Sequence, residues 1–300
     1  MGRHSRLIKL IGKLLHKIRE LGVRRYSHRF SPKKYSQHQH LTVLVLKEFF
    51  RTTYRGIVEQ LTVMDRIMKR LHLRSIPHYT TLQKFMKRIG NDVLKQLIAA
   101  IAGNPVIVGI DATGFSSSYA SKHYEGCIRA GKRRDFTKLS IAVDLDSQLI
   151  VAMKSRKSPG HDNRDFLPLL RRVKRYSVVC GDKAYDAEKN YEYIYAMKAK
   201  PAIPAREGLR RGTYRKKAQR SFDLREYHQR SKVETVFSVL KRCFGDSLRS
   251  RSQWMMNKEL SLKCLTYNLY KVSFYLTVKL FYKALLCSPH WPFSGRRTFL

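Results

Sequence analysis

Three acidic side chains in this sequence have surroundings that suit metal-dependent chemistry. Asp111 and Asp182 each end a short apolar run that predicts a buried strand, and Glu234 lies in a predicted helix. Because neighbouring parallel strands of an open α/β sheet end at the same edge, we expect both aspartates there, with the helix bringing Glu234 to them. Taken alone, each aspartate has a plainer interpretation as a turn residue or a helix cap. Their joint placement is what predicts a site.

Carboxylates grouped in this way predict a metal centre. They repel one another unless a cation lies between them, and their oxygens suit Mg²⁺, with Mn²⁺ able to replace it. Two such ions roughly 3.5–4 Å apart stabilise the attacking and leaving oxygens of a phosphoryl transfer. We expect Asp111 to bridge both ions, and Asp182 and Glu234 each to complete the shell of one. Water or a DNA 3′-hydroxyl would attack directly, so no serine or cysteine nucleophile is needed.

The helix that carries Glu234 is predicted to carry cationic and aromatic groups on the same face. At about 100° per residue, four side chains fall within an arc of roughly 60°: Tyr227, Arg230, Glu234 and Lys241. Arg230 and Lys241 are expected to hold phosphates near the scissile bond, and Tyr227 to position them or to stack. The stretch has no Gly or Pro, and Asp223 is available as its N-cap. A lone glutamate in such company is usually a salt-bridged surface residue, so the catalytic interpretation depends on the two aspartates.

The net charge points to a polyanionic partner. The chain has 61 Lys and Arg against 22 Asp and Glu, a formal charge of +39. Nucleic acid is the natural partner, because each phosphate contact releases counterions. An anionic membrane surface is the competing explanation, but the basic residues are spread along the whole chain, which favours one large ligand. We therefore expect double-stranded DNA as the partner, and no membrane.

Cysteine usage and apolar stretches bear on the compartment. The five cysteines are far apart and form no CxxC pair, which predicts free thiols in a reducing compartment. Lysines interrupt the N-terminal apolar residues, so no signal peptide is expected. Residues 264–287 are apolar but contain Lys271, Lys279 and Lys283, which favours an amphipathic helix packed on a core over a membrane span. These features predict a cytoplasmic protein.

Four regions are predicted along the chain. Residues 1–40 form a basic N-terminal arm with an amphipathic helix near its start, for which a solvated tail is the alternative. Residues 41–103 form a small all-helical DNA-binding domain. Residues 104–287 form an α/β catalytic domain that ends in a helix, and residues 288–300 form a tail.

Within the helical region, a turn followed by a short helix carries outward basic residues. We predict this helix over the stretch that ends at Arg88, capped by Thr80 or Thr81, with Lys84, Lys87 and Arg88 along its outer side. Such an arrangement suits a helix-turn-helix that reads the major groove. Plain three-helix packing predicts the same pattern, so the charge of the chain is what favours DNA binding.

From residue 105 the apolar runs predict strands. The element order is β, β, β, α, β, α, β, α, which predicts a mixed sheet of five strands with helices on both faces. The strands are expected at residues 106–111, 138–144, 149–154, 176–182 and 200–205. Prolines in the last run exclude it from the centre of the sheet. Residues 206–220 are expected to form a basic loop suited to phosphates.

Three blocks of this region resemble insertion-sequence DDE transposases. They are Gly-Ile-Asp111-Ala-Thr-Gly, Cys-Gly-Asp182-Lys-Ala-Tyr185-Asp186 and Tyr227-x2-Arg230-x3-Glu234-x6-Lys241. The third block is specific and is similar to the Tyr-Arg-Glu-Lys pattern of one large bacterial and archaeal group. The first two blocks are short. The resemblance extends over about residues 75–275.

The resemblance implies an RNase H-like catalytic domain that uses Mg²⁺ to cut DNA at terminal inverted repeats and to transfer strands to target DNA. It implies Asp111, Asp182 and Glu234 as the catalytic triad, supported by Tyr227, Arg230 and Lys241. It also implies a nucleoid-associated prokaryotic protein. The synapsis of two element ends suggests a homodimer or a larger assembly on DNA. The short interval between Asp182 and Glu234 leaves no place for a large β-rich insertion.

Two alternatives to a transposase stay open at this point. One is a catalytically inactive DNA-binding regulator derived from a transposase, and the other is a plain RNase H-like nuclease. The intact set of three acids favours an enzyme over an inactive copy, since an inactive copy is expected to lose one of them. The same acids serve a nuclease and a transposase equally well, so only a strand-transfer assay separates those two.

Overall fold

The structure is a computed structural model that describes residues 5–116, 136–157, 160–207 and 211–286, with side chains as far as residue 273. The predicted tail at residues 288–300 and the basic connection predicted at residues 119–134 lie outside the described residues. Part of the basic loop predicted at residues 206–220 does so too.

The N-terminal third of the described chain is helical. Its helices are α1 (Arg6–Glu20), α2 (Gln37–Phe49), α3 (Tyr54–Thr62), α4 (Asp65–Leu71), α5 (Tyr79–Arg88) and α6 (Asn91–Ala102). Helix α5 is the helix expected to carry Lys84, Lys87 and Arg88, and all three residues are exposed. Its N-cap is His78, whose side chain accepts from the Thr80 N–H, so the expected threonine cap is wrong.

The predicted arm at residues 1–40 contains an amphipathic helix near its start, α1. One face of α1, including Leu10, Ile11 and Leu14, is buried in a hydrophobic core shared with the other helices. Helix α2 begins at Gln37, before the predicted start of the helical domain at residue 41, because Ser36 and Gln39 form a capping box. The apolar stripe of α1 therefore makes it part of the folded body.

The sheet has the predicted five strands. They are β1 (Ile107–Ser116), β2 (Phe136–Asp144), β3 (Leu149–Lys157), β4 (Val178–Cys180) and β5 (Lys200–Ala202). The strand order is β3-β2-β1-β4-β5, in which β1–β2 and β2–β3 are antiparallel while β1–β4 and β4–β5 are parallel. The proline-containing strand β5 lies at an edge, as expected. This order, with helices on both faces, is the predicted RNase H-like fold.

The remaining helices follow β3. They are α7 (Asn163–Leu170), a 3-10 turn (Lys183–Tyr185), α8 (Glu188–Ala196), α9 (Thr213–Arg220), α10 (Leu224–His228), α11 (Ser231–Phe244) and α12 (Gln253–Leu286). The region expected to be only a basic loop thus contains α9. The single helix expected from Tyr227 to Lys241 is two helices, α10 and α11, although Asp223 caps α10 as predicted.

The two faces of the sheet bury separate apolar cores. The N-terminal helices, α11 and α12 share one core with side chains of β1 and β2, including Phe115 and Ile141. Helices α7 and α8 share the other core, which includes Ile110 and Phe166. The helical region and the sheet therefore share one apolar core across the predicted boundary at residue 103.

Helix α12 joins the helical region to the sheet. It contacts α1, α2 and α6 as well as β3. Its buried Lys258 donates to the carbonyl oxygens of Met86 at 3.2 Å and Lys87 at 2.7 Å, in the last turn of α5. A lysine ammonium at a helix C-terminus is favoured by the helix dipole. In the part of the chain that the structure describes, no helix has the length and apolar character to cross a membrane.

Candidate active site

Asp111 and Asp182 occupy matching positions on neighbouring parallel strands. The last pair between β1 and β4 is Gly109 with Cys180, so each aspartate lies two residues further along. Asp111 is not at the end of β1 as expected, because β1 continues to Ser116 through its pairing with β2. Asp182 lies just beyond β4 and caps the 3-10 turn. The two acids thus share the edge where β4 ends and β1 runs on alone beside β2.

Helix α11 places Glu234 above this edge. A Cβ atom at Gly109 would lie 2.6 Å from Val233 Cγ2 and 2.6 Å from Leu145 Cδ2, so only glycine allows α11 to approach β1 this closely. Val233 is fully buried there, and Glu234 follows it at the sheet-facing end of the first turn. The Glu234 side chain is 59% exposed, which leaves its carboxylate open to solvent and to ligands.

One guanidinium joins the first and the last acid. Arg230 Nη1 lies 3.1 Å from Asp111 Oδ2, and Arg230 Nη2 lies 2.7 Å from Glu234 Oε1. The other oxygen of Asp111 accepts from the Ala112 N–H at 2.8 Å. Asp182 Oδ1 accepts from the Lys183 N–H at 2.6 Å. Asp111 and Glu234 therefore lie on the same face of the sheet, within reach of a single cation.

Asp182 also interacts electrostatically with Asp111 and Arg230. Burial raises the pKa of Asp111, the Ala112 N–H and Arg230 lower it, and the charges of Asp182 and Glu234 raise it; the net shift is upward. Burial lowers the pKa of Arg230, but Asp111, Glu234, Tyr227 and Asp182 raise it, again with a net upward shift. The charge of Asp182 therefore acts on the same two groups, Asp111 and Arg230, that the contacts of Arg230 join to Glu234. Arg230 does not fully compensate the negative charge at Asp111.

The other two predicted supporting residues lie on either side of Arg230. Tyr227, on α10, is near enough to act on the charge of Arg230 and packs its ring 5.8 Å from that of Phe222. Lys241 lies further along α11, where its Nζ donates to Thr113 Oγ1 at 2.7 Å, two residues beyond Asp111 on β1. The predicted group is therefore spread along β1, with Tyr227 and Arg230 at the acids and Lys241 beyond them.

A comparison with protein families decides the family. The model described as "Transposase DDE domain" matches residues 102–269, which is more than half of the chain. The protein belongs to the DDE transposase domain family. Among solved structures, it is similar to the piggyBac transposase in a synaptic complex with hairpin DNA, at 11% identity and a TM-score of 0.44. That match covers 96% of this chain and 80% of the other.

The acids of this DDE transposase domain offer suitable donors for a hard cation. All three predicted ligands are carboxylates, and the raised pKa of Asp111 means that its negative charge is held at a cost which a nearby cation would reduce. In the described residues, no group of three His, Cys, Asp or Glu side chains is arranged as a metal cluster. Arg230 lies between Asp111 and Glu234 instead. The chemistry of the donors therefore fits Mg²⁺ or Mn²⁺, provided that Arg230 moves.

Sequence reasoning missed a second charged cluster in the DDE transposase domain. Asp165 is only 1% exposed and pairs with Arg156 at 2.8 Å and Lys154 at 2.9 Å. It also accepts from Ser140 Oγ at 3.0 Å. The alternation of Lys154 and Arg156 along β3, two residues apart, was the available signal, since such residues share a face of a strand.

Asp186, the second aspartate of the block that begins at Asp182, bonds to Arg206 and Arg215 of the basic region. Asp186 is buried, with Oδ1 2.7 Å from Arg215 Nε and Oδ2 accepting from the Arg206 N–H at 2.8 Å. Arg215 lies on α9, so Asp186 bonds to the basic region at two points, Arg206 and Arg215. The predicted DNA-binding residues Lys84, Lys87 and Arg88 lie apart from the acids, on α5, which packs mainly on α2 and α3.

Proposed function

We propose that this protein is a DNA transposase that cuts DNA at the ends of its element and joins the 3′ ends to target DNA. Asp111, Asp182 and Glu234 are the catalytic acids. The observation that carries the proposal is the position of Arg230, whose guanidinium contacts both Asp111 and Glu234 while Asp182 acts on the same carboxylate. Arg230 and Glu234 are four residues apart on one helical face, so the informative contact is that of Arg230 with Asp111, which brings the charges of helix and strand together at an open edge of the sheet.

The acids are proposed to hold Mg²⁺, for which Mn²⁺ can substitute. When bound, two ions supply charge that stabilises the attacking and leaving oxygens of the phosphoryl transfer. The role of Arg230 then follows from its contacts. In the protein alone it partly balances the charges of Asp111 and Glu234, and once it leaves them it is free to bind a phosphate with two parallel hydrogen bonds. Tyr227 is placed to orient that guanidinium.

Lys241 is proposed to hold the DNA backbone beside the scissile phosphate. Its ammonium is fixed by Thr113 and lies 5.5 Å from the ring centroid of Phe115, on the stretch of β1 beyond Asp111. A strand rises about 3.3 Å per residue, so Thr113 lies roughly 7 Å from Asp111 along β1. That is close to the spacing of successive phosphates, which suits one phosphate at the acids and the next at Lys241.

Double-stranded DNA is the proposed partner, as both element ends and target. The exposed Lys84, Lys87 and Arg88 on α5 are proposed to contact the element end, and the charge of +39 supplies the non-specific affinity. Joining two ends requires two active sites, so we propose a homodimer or larger assembly on DNA.

A strand-transfer assay tests the proposal. The substrate is a duplex that carries the DNA flanking the gene, with Mg²⁺ and a supercoiled target. We expect cleavage and joining by the wild-type protein, and losses of about 10³-fold or more for Asp111→Asn, Asp182→Asn and Glu234→Gln. DNA affinity should be nearly unchanged in each variant. Asp92→Asn is the matched control, because Asp92 is 86% exposed on α6, away from the acids.

The outcomes separate the three functional classes. Turnover comparable with wild type in any of the three acid variants would refute the site. Cleavage without joining identifies a nuclease, and DNA binding without either reaction identifies an inactive regulator.

A further inference from the structure

Arg206, which follows β5, is an exposed arginine whose guanidinium is held in one place. Its Nε donates to the Lys183 carbonyl oxygen at 3.0 Å, and its Nη2 donates to the Ala184 carbonyl oxygen at 3.2 Å. Its backbone N–H donates to Asp186. Lys183 directly follows Asp182, so these bonds fix the guanidinium beside the 3-10 turn that Asp182 caps. An arginine fixed in this way is pre-organised for an anion, because little side-chain entropy remains to be lost on binding.

His161, two residues before α7, approaches the same guanidinium. Its Nε2 lies 3.5 Å from Arg206 Nη2, and its Nδ1 lies 3.3 Å from the backbone nitrogen of Asn163. A neutral imidazole has one donor nitrogen and one acceptor nitrogen, and a protonated ring has two donors. In every form of the ring, at least one of the two contacts therefore brings two donors together. The Asn163 contact is local in sequence, so the contact that can change is the one between the exposed side chains of His161 and Arg206.

The carboxylates nearest in sequence to this pair have other partners. Glu207 is 97% exposed and lies 3.6 Å from Lys183 Nζ, a weak surface pair. Asp162 pairs with Lys138. Among the described residues, no carboxylate forms an ion pair with the guanidinium of Arg206, whose bonds to the chain go to carbonyl oxygens. The described part of the protein therefore supplies no acceptor that the two facing donors share.

We propose that Arg206 and His161 bind one backbone phosphate of the DNA. The inference rests on the proposed function, in which DNA lies across the acids. When the ring proton is on Nε2, a phosphate oxygen between His161 Nε2 and Arg206 Nη2 accepts from both groups. That oxygen replaces a contact between two donors with two charge-assisted hydrogen bonds.

The place of the pair in the fold determines which phosphate it holds. Arg206 lies on the β5 side of Asp182, whereas Lys241 lies beside β1, so the acids are between the two cations. Helix α7, which His161 precedes, packs on the face of the sheet opposite α11. The phosphate at Arg206 and His161 is therefore one that flanks the scissile phosphate, on the opposite side from the phosphate proposed at Lys241.

Methylphosphonate substitution tests the site, because it removes the charge of one DNA phosphate at a time. The probe is the duplex that carries the DNA flanking the gene, with single methylphosphonates along each strand. Affinities are measured in chelator, so that no strand is cut. We expect one position at which the substitution weakens binding to wild type about tenfold, the size of a charged hydrogen bond. At that position it should weaken binding to Arg206→Gln and to His161→Gln by less than about twofold, because the contact is already absent.

Arg171→Gln is the matched control. Arg171 is exposed at the C-terminal end of α7, so this variant removes the same charge from the other end of the helix that His161 precedes. It should lower affinity only through net charge, and it should keep every position-dependent loss that wild type shows. Should Arg206→Gln fail to fold, His161→Gln decides alone, because Arg206 keeps its bonds to the chain in that variant.

The outcomes distinguish this inference from the proposed function. Losses that are equal in wild type and in both variants at every position overturn the phosphate site, and so do losses that disappear at different positions in the two variants. Disappearance at one shared position supports the site. Absence of cleavage and joining with Mg²⁺ overturns the proposed function separately, because the methylphosphonate profile is measured without metal. A wild-type protein that does not bind the duplex overturns both.

Discussion

Asp111 and Asp165 are carboxylates of the same α/β domain, and each is bonded to an arginine, yet their electrostatic situations are opposite. Burial raises the pKa of Asp165, but hydrogen bonds from Arg156, Lys154 and Ser140 outweigh it, and the net shift is downward. Burial also raises the pKa of Asp111, where one arginine is set against two further acids, and the net shift is upward. The neighbours of Asp165 balance its negative charge, whereas the neighbours of Asp111 balance its charge only in part.

The difference gives a way to tell an acid that holds the fold together from one that we propose to be catalytic. Asp165 is 1% exposed and has two cations that hold it in place. The side chain of Asp111 is 21% exposed, and the arginine that contacts it, Arg230, is shared with Glu234. A carboxylate whose charge is incompletely balanced and accessible is the one that gains from a ligand.

The largest expected effect is on stability at Asp165. Asp165→Asn leaves Arg156 and Lys154 without their counter-ion, and we expect a loss of about 3 kcal/mol in the free energy of unfolding. Asp111→Asn, measured in chelator, should change the free energy of unfolding by less than about 1 kcal/mol, because it removes a charge that is poorly balanced. Urea denaturation of both variants measures this contrast, and equal losses would contradict it.

A second test acts on the approach of α11 to β1. Gly109→Val should lower stability by about 2 kcal/mol, because overpacked side chains force backbone shifts. Val233 is the neighbour that must move, so Arg230 and Glu234 on either side of it should be displaced and strand transfer lost. The Asp165 cluster lies against the other core and should be unaffected. Gly90→Ala is the control, since a Cβ at Gly90 would meet only ordinary contact at 3.8 Å. A stable, active Gly109→Val protein would contradict the arrangement.

A third test asks whether Arg230 competes with the metal. Arg230→Gln removes the cation between Asp111 and Glu234, so Mn²⁺ should bind about tenfold more tightly, an effect reduced by solvent because Glu234 is largely exposed. Strand transfer should fall at the same time. Arg242→Gln, on the exposed side of the same helix, is the control and should change neither. Weaker Mn²⁺ binding in Arg230→Gln would mean that Arg230 helps to assemble the site.

The smallest expected effect is on the pH dependence of stability. The pKa of Asp111 is raised by folding, so the native state binds the proton more tightly. The contribution of this group to stability should therefore fall as pH rises from the ordinary aspartate value through the raised pKa. The pKa of Asp165 is lowered, so its contribution should be lost as pH falls through that lowered value. Subtracting the Asp111→Asn and Asp165→Asn curves from that of wild type, in chelator, should give slopes of opposite sign. Slopes of the same sign would show that folding does not shift the pKa values of Asp111 and Asp165 in opposite directions.

The parts of the fold and site that depend on local pattern were predictable. The apolar runs before Asp111 and Asp182 predicted the two strands, and the proline in β5 predicted its edge position. The arc shared by Arg230 and Glu234 predicted their contact, because residues four apart lie on one face of a helix. The capping box at Ser36 and Gln39 was also readable and would have corrected the start of α2.

The features of the fold and site that could not be predicted depend on contacts between residues that are distant in sequence. Nothing near Asp165 indicates that Lys154 and Arg156 will reach it, because that meeting requires α7 to pack against β3. The division between α10 and α11 carries no Gly or Pro, and Gln229 and Arg230 keep helical dihedral angles, so no local breaker could reveal it. The extension of β1 past Asp111 depends on its pairing with β2.

The buried ammonium of Lys258 has a consequence for the distance along DNA between the site of recognition and the site of cleavage. Lys258 holds the last turn of α5 to α12, the helix that also packs on β3, so we expect the proposed DNA-reading helix to keep its position relative to the acids. In such a protein, the distance from the proposed DNA-reading helix to the active site would be constant. The bases contacted by α5 and the bond that is cut would keep one separation, and inserting about 5 base pairs between them, half a helical turn, would turn the scissile phosphate to the far side of the duplex.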